Sequence, residues 1–110
     1  MEVKAIAKHI RISPRKVRQV INLIKGKKVV EANSILKYTP KKAAYLLSKV
    51  LKSAMSNATK KSREIDINNM YIKLCYANGG PAIKRTRARA MGRANRILKR
   101  TSHIIMVLGE

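Results

Sequence analysis

Apolar residues recur at helical spacing in three segments of the first half of the chain. The first segment begins at Ser13-Pro14, where the serine is expected to cap a free amide and proline needs no hydrogen-bond donor. Gly26 is expected to end this helix in a left-handed conformation. The second segment is Val29–Tyr38, and Thr39-Pro40 repeats the start signal before the longest segment, residues 40–60. The three apolar stripes are Val17, Val20, Ile21 and Ile24; Ala32, Ile35 and Leu36; and Ala43, Leu47, Val50, Leu51, Ala54 and Ala58.

Alternating apolar and polar residues predict strands on both sides of these helices. Residues 2–12 alternate in part and predict a short strand. Residues 65–77 alternate with a shift at Asn68-Asn69, which predicts a turn or a bulge there. Asn78-Gly79-Gly80-Pro81 then interrupts regular structure, and residues 102–108 form an apolar run typical of a strand covered on both faces.

The last two strands flank residues 79–100 and therefore predict a long antiparallel hairpin. With about a dozen residues in each arm, the hairpin would reach roughly 40 Å, which is more than a three-helix domain of this size covers. A two-stranded ribbon alone is marginally stable in water. We expect the distal part to be mobile on its own or clamped by a partner.

Charge indicates what that partner is. The chain has 26 basic and 5 acidic residues, a net charge of +21, and six of its ten arginines lie in residues 84–100. Eight basic residues follow one another there without an acid, namely Lys84, Arg85, Arg87, Arg89, Arg93, Arg96, Lys99 and Arg100. Because arginine offers a planar fork of donors to phosphate, nucleic acid is the expected polyanion. Taken alone, the stretch is also compatible with a disordered basic loop.

The residues that carry catalysis or bind metals are few and scattered. The five acids do not cluster, and His9, His103 and Cys75 lack the spacing of metal ligands. The Gly26-Lys27-Lys28 segment lacks the spacing of a phosphate-binding loop. We therefore expect no enzyme activity, no cofactor and no metal site. An apolar run of about 18 residues and a signal peptide are also absent, which predicts an intracellular protein with no membrane contact.

The number and positions of the aromatic residues indicate which kind of nucleic acid the chain is expected to bind. Only Tyr38, Tyr45, Tyr71 and Tyr76 are available for stacking on bases, and none lies in the basic stretch. Recognition of folded RNA through its phosphates and shape suits this composition best. A DNA-binding protein is the second interpretation, with base-reading residues at Arg15, Arg18, Gln19 and Asn22, but it leaves the hairpin unexplained. A membrane-active segment is the third, and it would need more bulky apolar residues.

Several motifs together resemble one family. In chain order they are Arg11-Ile12-Ser13-Pro14-Arg15-Lys16, Thr39-Pro40-Lys41-Lys42-Ala43, Lys84-Arg85, Gly92-Arg93-Ala94 and Lys99-Arg100-Thr101-Ser102-His103-Ile104. Over nearly all 110 residues the chain resembles the bacterial-type ribosomal large-subunit protein L twenty-two family. Each motif is weak alone, but their order makes the combination specific.

The resemblance implies an α+β fold, with three helices packed on a small antiparallel sheet and a long protruding β-hairpin. It implies a single rRNA-binding domain over residues 1–110, with the hairpin tip at about 79–100. The function it implies is that of a structural constituent of the large ribosomal subunit, which binds large-subunit rRNA and supports assembly. Its hairpin tip would help to line the polypeptide exit tunnel.

The implied partners are large-subunit rRNA, neighbouring large-subunit ribosomal proteins and, transiently, the nascent chain. No self-oligomer is expected. The implied location is the ribosome of the cytoplasm, or of an organelle of bacterial descent. The implied RNA-binding residues are Arg11, Arg15, Lys16 and Arg18 on the domain, and Lys84, Arg85, Arg87, Arg89, Arg93, Arg96, Lys99, Arg100, Ser102 and His103 on the hairpin. The tunnel-lining tip would be Arg89, Ala90, Met91, Gly92 and Arg93.

Three positions depart from the family's common pattern. Gly79 stands where an acid usually precedes Gly80-Pro81, and Ala88 replaces a common proline. Both changes bear on the rigidity of the hairpin. Met91 replaces a common basic residue, which bears on any role in the tunnel that needs a cation at that position.

Overall fold

The protein combines three helices with two antiparallel sheets, which confirms the α+β prediction. The computed structural model describes residues 2–61, 66–88 and 94–109, of which residues 83–88 and 94–99 are described by their backbone. In chain order the elements are β1 (Glu2–Ile10), α1 (Pro14–Ile24), α2 (Val29–Tyr38), α3 (Lys42–Lys61), a short 3-10 helix (Ile67–Asn69), β2 (Tyr71–Gly79), β3 (Ile83–Ala88), β4 (Ala94–Lys99) and β5 (Ser102–Gly109).

The larger sheet has the order β1-β5-β2, with β5 antiparallel to both neighbours. Met106 at its centre pairs with Ala5 on one side and Cys75 on the other, and its side chain is fully buried. Ile105 and Val107, on the opposite face of β5, are at most 9% exposed. Residues of both faces of β5 are thus buried, as the unbroken apolar run predicts.

The helices cover one face of this sheet, and the predicted stripes form the core. All residues of the stripes on α1 and α3 are buried, and on α2 only Ile35 is partly exposed. Ala54 and Ala58 are completely buried on α3, where small side chains let neighbouring elements approach closely. The other face of the sheet carries the partly exposed side chains of Ile6, Leu74 and Tyr76.

The ends of the helices agree with the sequence in part. Gly26 follows α1 with a φ of 76°, the predicted left-handed conformation. Ser13 precedes α1, but its side chain makes no capping bond, so that part of the prediction is wrong. Thr39 is also not an N-cap, because its hydroxyl donates back to the carbonyl of Ile35 at 2.6 Å and closes α2. Accordingly α3 begins at Lys42, two residues later than expected.

The ribbon of β3 and β4 continues the arms of β2 and β5 as a separate two-stranded sheet. The molecule measures 65 × 25 × 16 Å, and its radius of gyration of 17.0 Å exceeds the roughly 13 Å of a compact chain of this length. Gly79 still belongs to β2, so the interruption is shorter than predicted. The expected tip residues, 89–93, lie outside the described residues.

Candidate nucleic-acid interface

The ribbon joins the domain at a tightly bonded junction, residues 80–82 and 100–102, which we call the hairpin root. Between the Gly79–Ser102 pair and the Ile83–Lys99 pair, the three residues 80–82 of one arm face the two residues 100–101 of the other. The Gly80 amide donates to the Thr101 carbonyl at 3.0 Å, and the Thr101 hydroxyl donates to the Pro81 carbonyl at 2.6 Å. The extra residue on one arm is a bulge, where a proline without an amide hydrogen is tolerated.

Hydrogen bonds connect the hairpin root and the adjacent end of β2 to the rest of the domain. Ser102 is fully buried, and its hydroxyl donates to the Ile12 carbonyl at 2.6 Å. Arg18 donates from Nε and Nη2 to the Ala77 carbonyl at 3.2 and 2.8 Å, which ties α1 to β2. Among the predicted RNA contacts, Ser102 therefore faces protein, and Arg18 spends part of its donor capacity on the fold.

Two histidines meet beside the root, although 94 residues separate them in sequence. The His9 amide donates to Nδ1 of His103 at 3.1 Å, and the two rings lie edge to face with centroids 4.8 Å apart. His9 has a φ of 58°, which turns its amide out of the β1 ladder. Since Nδ1 of His103 accepts this bond, Nε2 is the ring nitrogen left to donate.

The predicted cations of the domain gather around the first turn of α1. Arg11, Arg15 and Lys16 are all exposed, and the first turn of the helix contains no acid. Lys42 at the start of α3 reaches the same place, because its Nζ donates to the Arg11 carbonyl at 3.4 Å. The amide end of a helix adds partial positive charge, so the electrostatic potential of this corner favours phosphate.

The backbone register of the ribbon separates its basic residues. Across the six β3–β4 pairs, every basic residue stands opposite a neutral one: Lys84 faces Leu98, Arg85 faces Ile97, Arg87 faces Asn95, Arg96 faces Thr86 and Lys99 faces Ile83. Like charges directly opposite each other destabilise a strand pair. The register therefore avoids direct opposition of charges along a ribbon that has no acid in its described strands. Arg100 follows β4 and is exposed, whereas Arg89 and Arg93 fall outside the described residues.

Little of the positive charge is neutralised internally. Within the described ranges, the one ion pair closer than 4 Å joins Lys73 to Glu2 at the far end of the sheet. Its hydrogen bond and charge lower the pKa of Glu2 and raise the pKa of Lys73. The same ranges hold no group of three metal-binding side chains. Burial raises the pKa of the Cys75 thiol to about 12, which leaves it unreactive.

Two basic clefts on the helical side were missed at the sequence level. One, between α1 and α3, is lined by Lys16, Lys41 and Lys42. The other, between α2 and α3, carries Lys37, Lys41 and Lys52 around an exposed tyrosine. The signal that would have found the second cleft is the spacing of Tyr45, Ser48 and Lys52, which puts these three residues on one face of α3.

Comparison with known proteins identifies the family. The model of the family described as ribosomal protein L22p/L17e matches residues 5–109. The chain belongs to the ribosomal protein L22 family. Relatives from Clostridium novyi (strain NT), Thermus thermophilus and Halothermothrix orenii, each named large ribosomal subunit protein uL22, are 56%, 53% and 52% identical to it. The alignments cover 100% of this chain and 98%, 96% and 96% of those relatives.

Membership of the L22 family confirms the resemblance drawn from the motifs. The family is one of structural, non-enzymatic proteins, in agreement with the prediction that the chain is not an enzyme. It also favours the ribosomal interpretation over the DNA-binding and membrane-active ones. In the part of the chain that is described, no helix has both the length and the apolar character to span a bilayer.

Proposed function

We propose that this L22 family member is a structural constituent of the large ribosomal subunit, located in the cytoplasm, which binds large-subunit rRNA and supports its assembly. The observation that carries the proposal is the ribbon: a basic two-stranded extension without an acidic residue, which departs from a bonded root and whose described strands form a sheet separate from that of the domain. A ribbon of this kind gains stability when packed RNA surrounds it. Neighbouring ribosomal proteins would complete the surroundings.

Both the hairpin and the surface around the first turn of α1 would contact RNA. On the hairpin, the contacts would come from Lys84, Arg85, Arg87, Arg89, Arg93, Arg96, Lys99, Arg100 and His103. On the domain, Arg11, Arg15 and Lys16 would bind phosphates near the helix end. Arg18 would do so with the donors that Ala77 leaves free, and Ser102 would position the root from within the core.

The test compares the intact chain with a variant in which a short turn joins Ala82 to Arg100. The deletion removes seven basic residues, so the slope of log affinity against log salt for a large-subunit rRNA fragment should fall by about five to six. Far-UV circular dichroism and urea unfolding should show an intact domain, because the described core residues come from the helices and from the larger sheet. The proposal fails if the intact chain binds random duplex DNA as tightly as rRNA at near-physiological salt.

The tip itself, Arg89, Ala90, Met91, Gly92 and Arg93, is proposed to help line the polypeptide exit tunnel and to contact the nascent chain transiently. Here Met91 is the residue of interest, since the family commonly has a cation there. A photoreactive side chain at position 91 should crosslink to a stalled nascent peptide in reconstituted particles. The same probe at position 60 is the negative control and should not crosslink to the nascent peptide. If the probe at position 91 crosslinks only to rRNA, the proposed contact with the nascent chain is wrong.

A further inference from the structure

A groove between α2 and α3 combines a basic lining with an exposed aromatic ring, and the proposed contacts of the hairpin do not involve it. Its volume is about 500 Å³. Asn33, Leu36 and Lys37 line it from α2, Thr39 from the connecting loop, and Lys41, Tyr45, Ser48 and Lys52 from the side of α3. We call it the α2–α3 groove.

Tyr45 stands between the cations of this groove. Lys41 comes just before the first residue of α3, Lys52 follows Tyr45 by two helical turns, and both line the groove with it. The ring is 62% exposed, and Nζ of Lys49 lies over one of its faces, 4.6 Å from the centroid. An unpaired nucleotide would therefore stack its base on the opposite face of the ring while its phosphates meet the lysines of the groove.

The positive charge of the α2–α3 groove is not balanced by its own lining. None of the eight described side chains around it is acidic. Of the described carboxylates, Glu2 is paired with Lys73, and Asp66 accepts bonds from the Asn68 amide and the Asn69 side chain. Glu31 lies on α2 but is not part of the lining. The occupant that suits the groove is therefore an anion.

The groove continues into the surface already proposed for rRNA. Lys41 lines both the α2–α3 groove and the cleft beside α1, where Lys16 and Lys42 also lie. Lys42 in turn contacts the Arg11 backbone at the corner of the domain. One strand of nucleic acid can thus follow a continuous line of cations from that corner to Tyr45.

We propose that the α2–α3 groove binds an unpaired segment of large-subunit RNA, with a base stacked on Tyr45 and the adjacent phosphates on Lys37, Lys41 and Lys52. The inference rests on the proposed function, because the segment is a continuation of the rRNA bound at the corner of the domain. It adds a single-stranded contact on the helical side to the contacts of the hairpin, which recognise phosphate and shape.

A lysine footprint on the complex of the full chain with protein-free large-subunit rRNA tests this directly. Acetylation followed by mass spectrometry should show that Lys37, Lys41 and Lys52 become protected, while Lys25 and Lys60 react as in the free protein. Irradiation of the same complex should attach a nucleotide to the peptide that contains Tyr45. If these three lysines stay reactive in a complex that forms normally, the groove proposal is wrong and the proposed function stands.

Paired variants give the size of the effect. Tyr45→Ala should weaken rRNA binding by about 5- to 150-fold, and Tyr45→Phe, which keeps the ring, by less than about twofold. The double variant Lys37→Gln/Lys52→Gln should lower the salt slope by about 1.4. Lys25→Gln/Lys60→Gln removes equal charge elsewhere and should leave that slope unchanged. All these side chains are exposed, so unfolding midpoints should be unaltered.

Two other outcomes would overturn the proposal in distinct ways. Equal losses in the two double variants would show that only total charge matters. Protection of the groove lysines that arises only when other ribosomal proteins are added would identify a protein as the occupant. If the full chain forms no complex with rRNA, the proposed function fails, and the groove proposal fails with it.

Discussion

Gly80 is the position at which one added methyl group should damage the fold most clearly. A Cβ at this residue would lie 2.5 Å from Oγ1 of Thr101 and 3.2 Å from Cε1 of His103. Thr101 cannot swing away without a loss, because it is 6% exposed and its hydroxyl is bonded to the Pro81 carbonyl. Gly80→Ala therefore forces either a backbone shift at the hairpin root or the loss of that hydrogen bond.

The expected cost follows from these two consequences. Overpacking of this kind typically costs about 1–3 kcal/mol, and a broken internal hydrogen bond about 1 kcal/mol. We expect Gly80→Ala to lower the free energy of unfolding by about 2–3 kcal/mol, measured by urea denaturation followed by circular dichroism. The melting temperature should fall by about 8–15 °C.

Two control variants test whether the steric clash causes the loss of stability in Gly80→Ala. Gly79→Ala is the matched change one residue earlier, where the nearest atom to an added Cβ is Cγ of Pro14 at 4.0 Å. Its effect should stay within about 0.5 kcal/mol. Thr101→Ala removes the clashing oxygen, so the double variant Gly80→Ala/Thr101→Ala should be less destabilised than the sum of its single changes by about 1 kcal/mol. Additive effects, or equal stability of the two glycine variants, would refute the steric explanation.

Three further predictions concern buried or bonded groups. Ser102→Ala leaves the Ile12 carbonyl without its donor, so the free energy of unfolding should fall by about 1–3 kcal/mol, and unchanged stability in urea would contradict this role. Arg18→Lys loses one of two bonds to the Ala77 carbonyl, and a loss of about 0.5–1.5 kcal/mol is expected without any RNA present. Cys75 should alkylate about a thousandfold more slowly in the folded protein at pH 8 than in denaturant, because only the thiolate reacts and burial raises the pKa of the thiol to about 12. As the pH is raised toward 12, the alkylation rate of the folded protein should increase about tenfold per pH unit. Fast labelling of the folded protein at pH 8 would show instead that the thiol is accessible.

The sequence predicted the elements whose signals are local. The stripe of α3 follows a 3.6-residue period, so all six residues predicted between Ala43 and Ala58 are buried; Ala44, which the stripe did not include, is buried as well. The apolar run of β5 likewise predicted a strand covered on both faces. The error at Thr39 is also physical: a hydroxyl between two helices can bond to the helix before it or the helix after it, and the sequence pattern is the same in both cases.

What the sequence lacked was information on pairing between distant segments. The bond of Arg18 to Ala77 spans 59 residues and that of Ser102 to Ile12 spans 90, so neither leaves a local pattern. The basic hairpin was predicted because two strand patterns flank residues 79–100 and the cations between them are close in sequence. The α2–α3 groove was missed because its lysines come from two helices, and each looks like an ordinary solvated residue until the helices are packed.

The position of β5 between β1 and β2 has a consequence for synthesis. Glu2 pairs with Gly109, so the first strand of the chain waits for the last before it can join a sheet. At about 5–20 residues per second, between about 5 and 20 s separate the appearance of β1 from that of Ser102. During this time α1, α2 and α3 can contact one another but have no complete sheet to cover. The sheet can be completed only after the whole basic hairpin has been made.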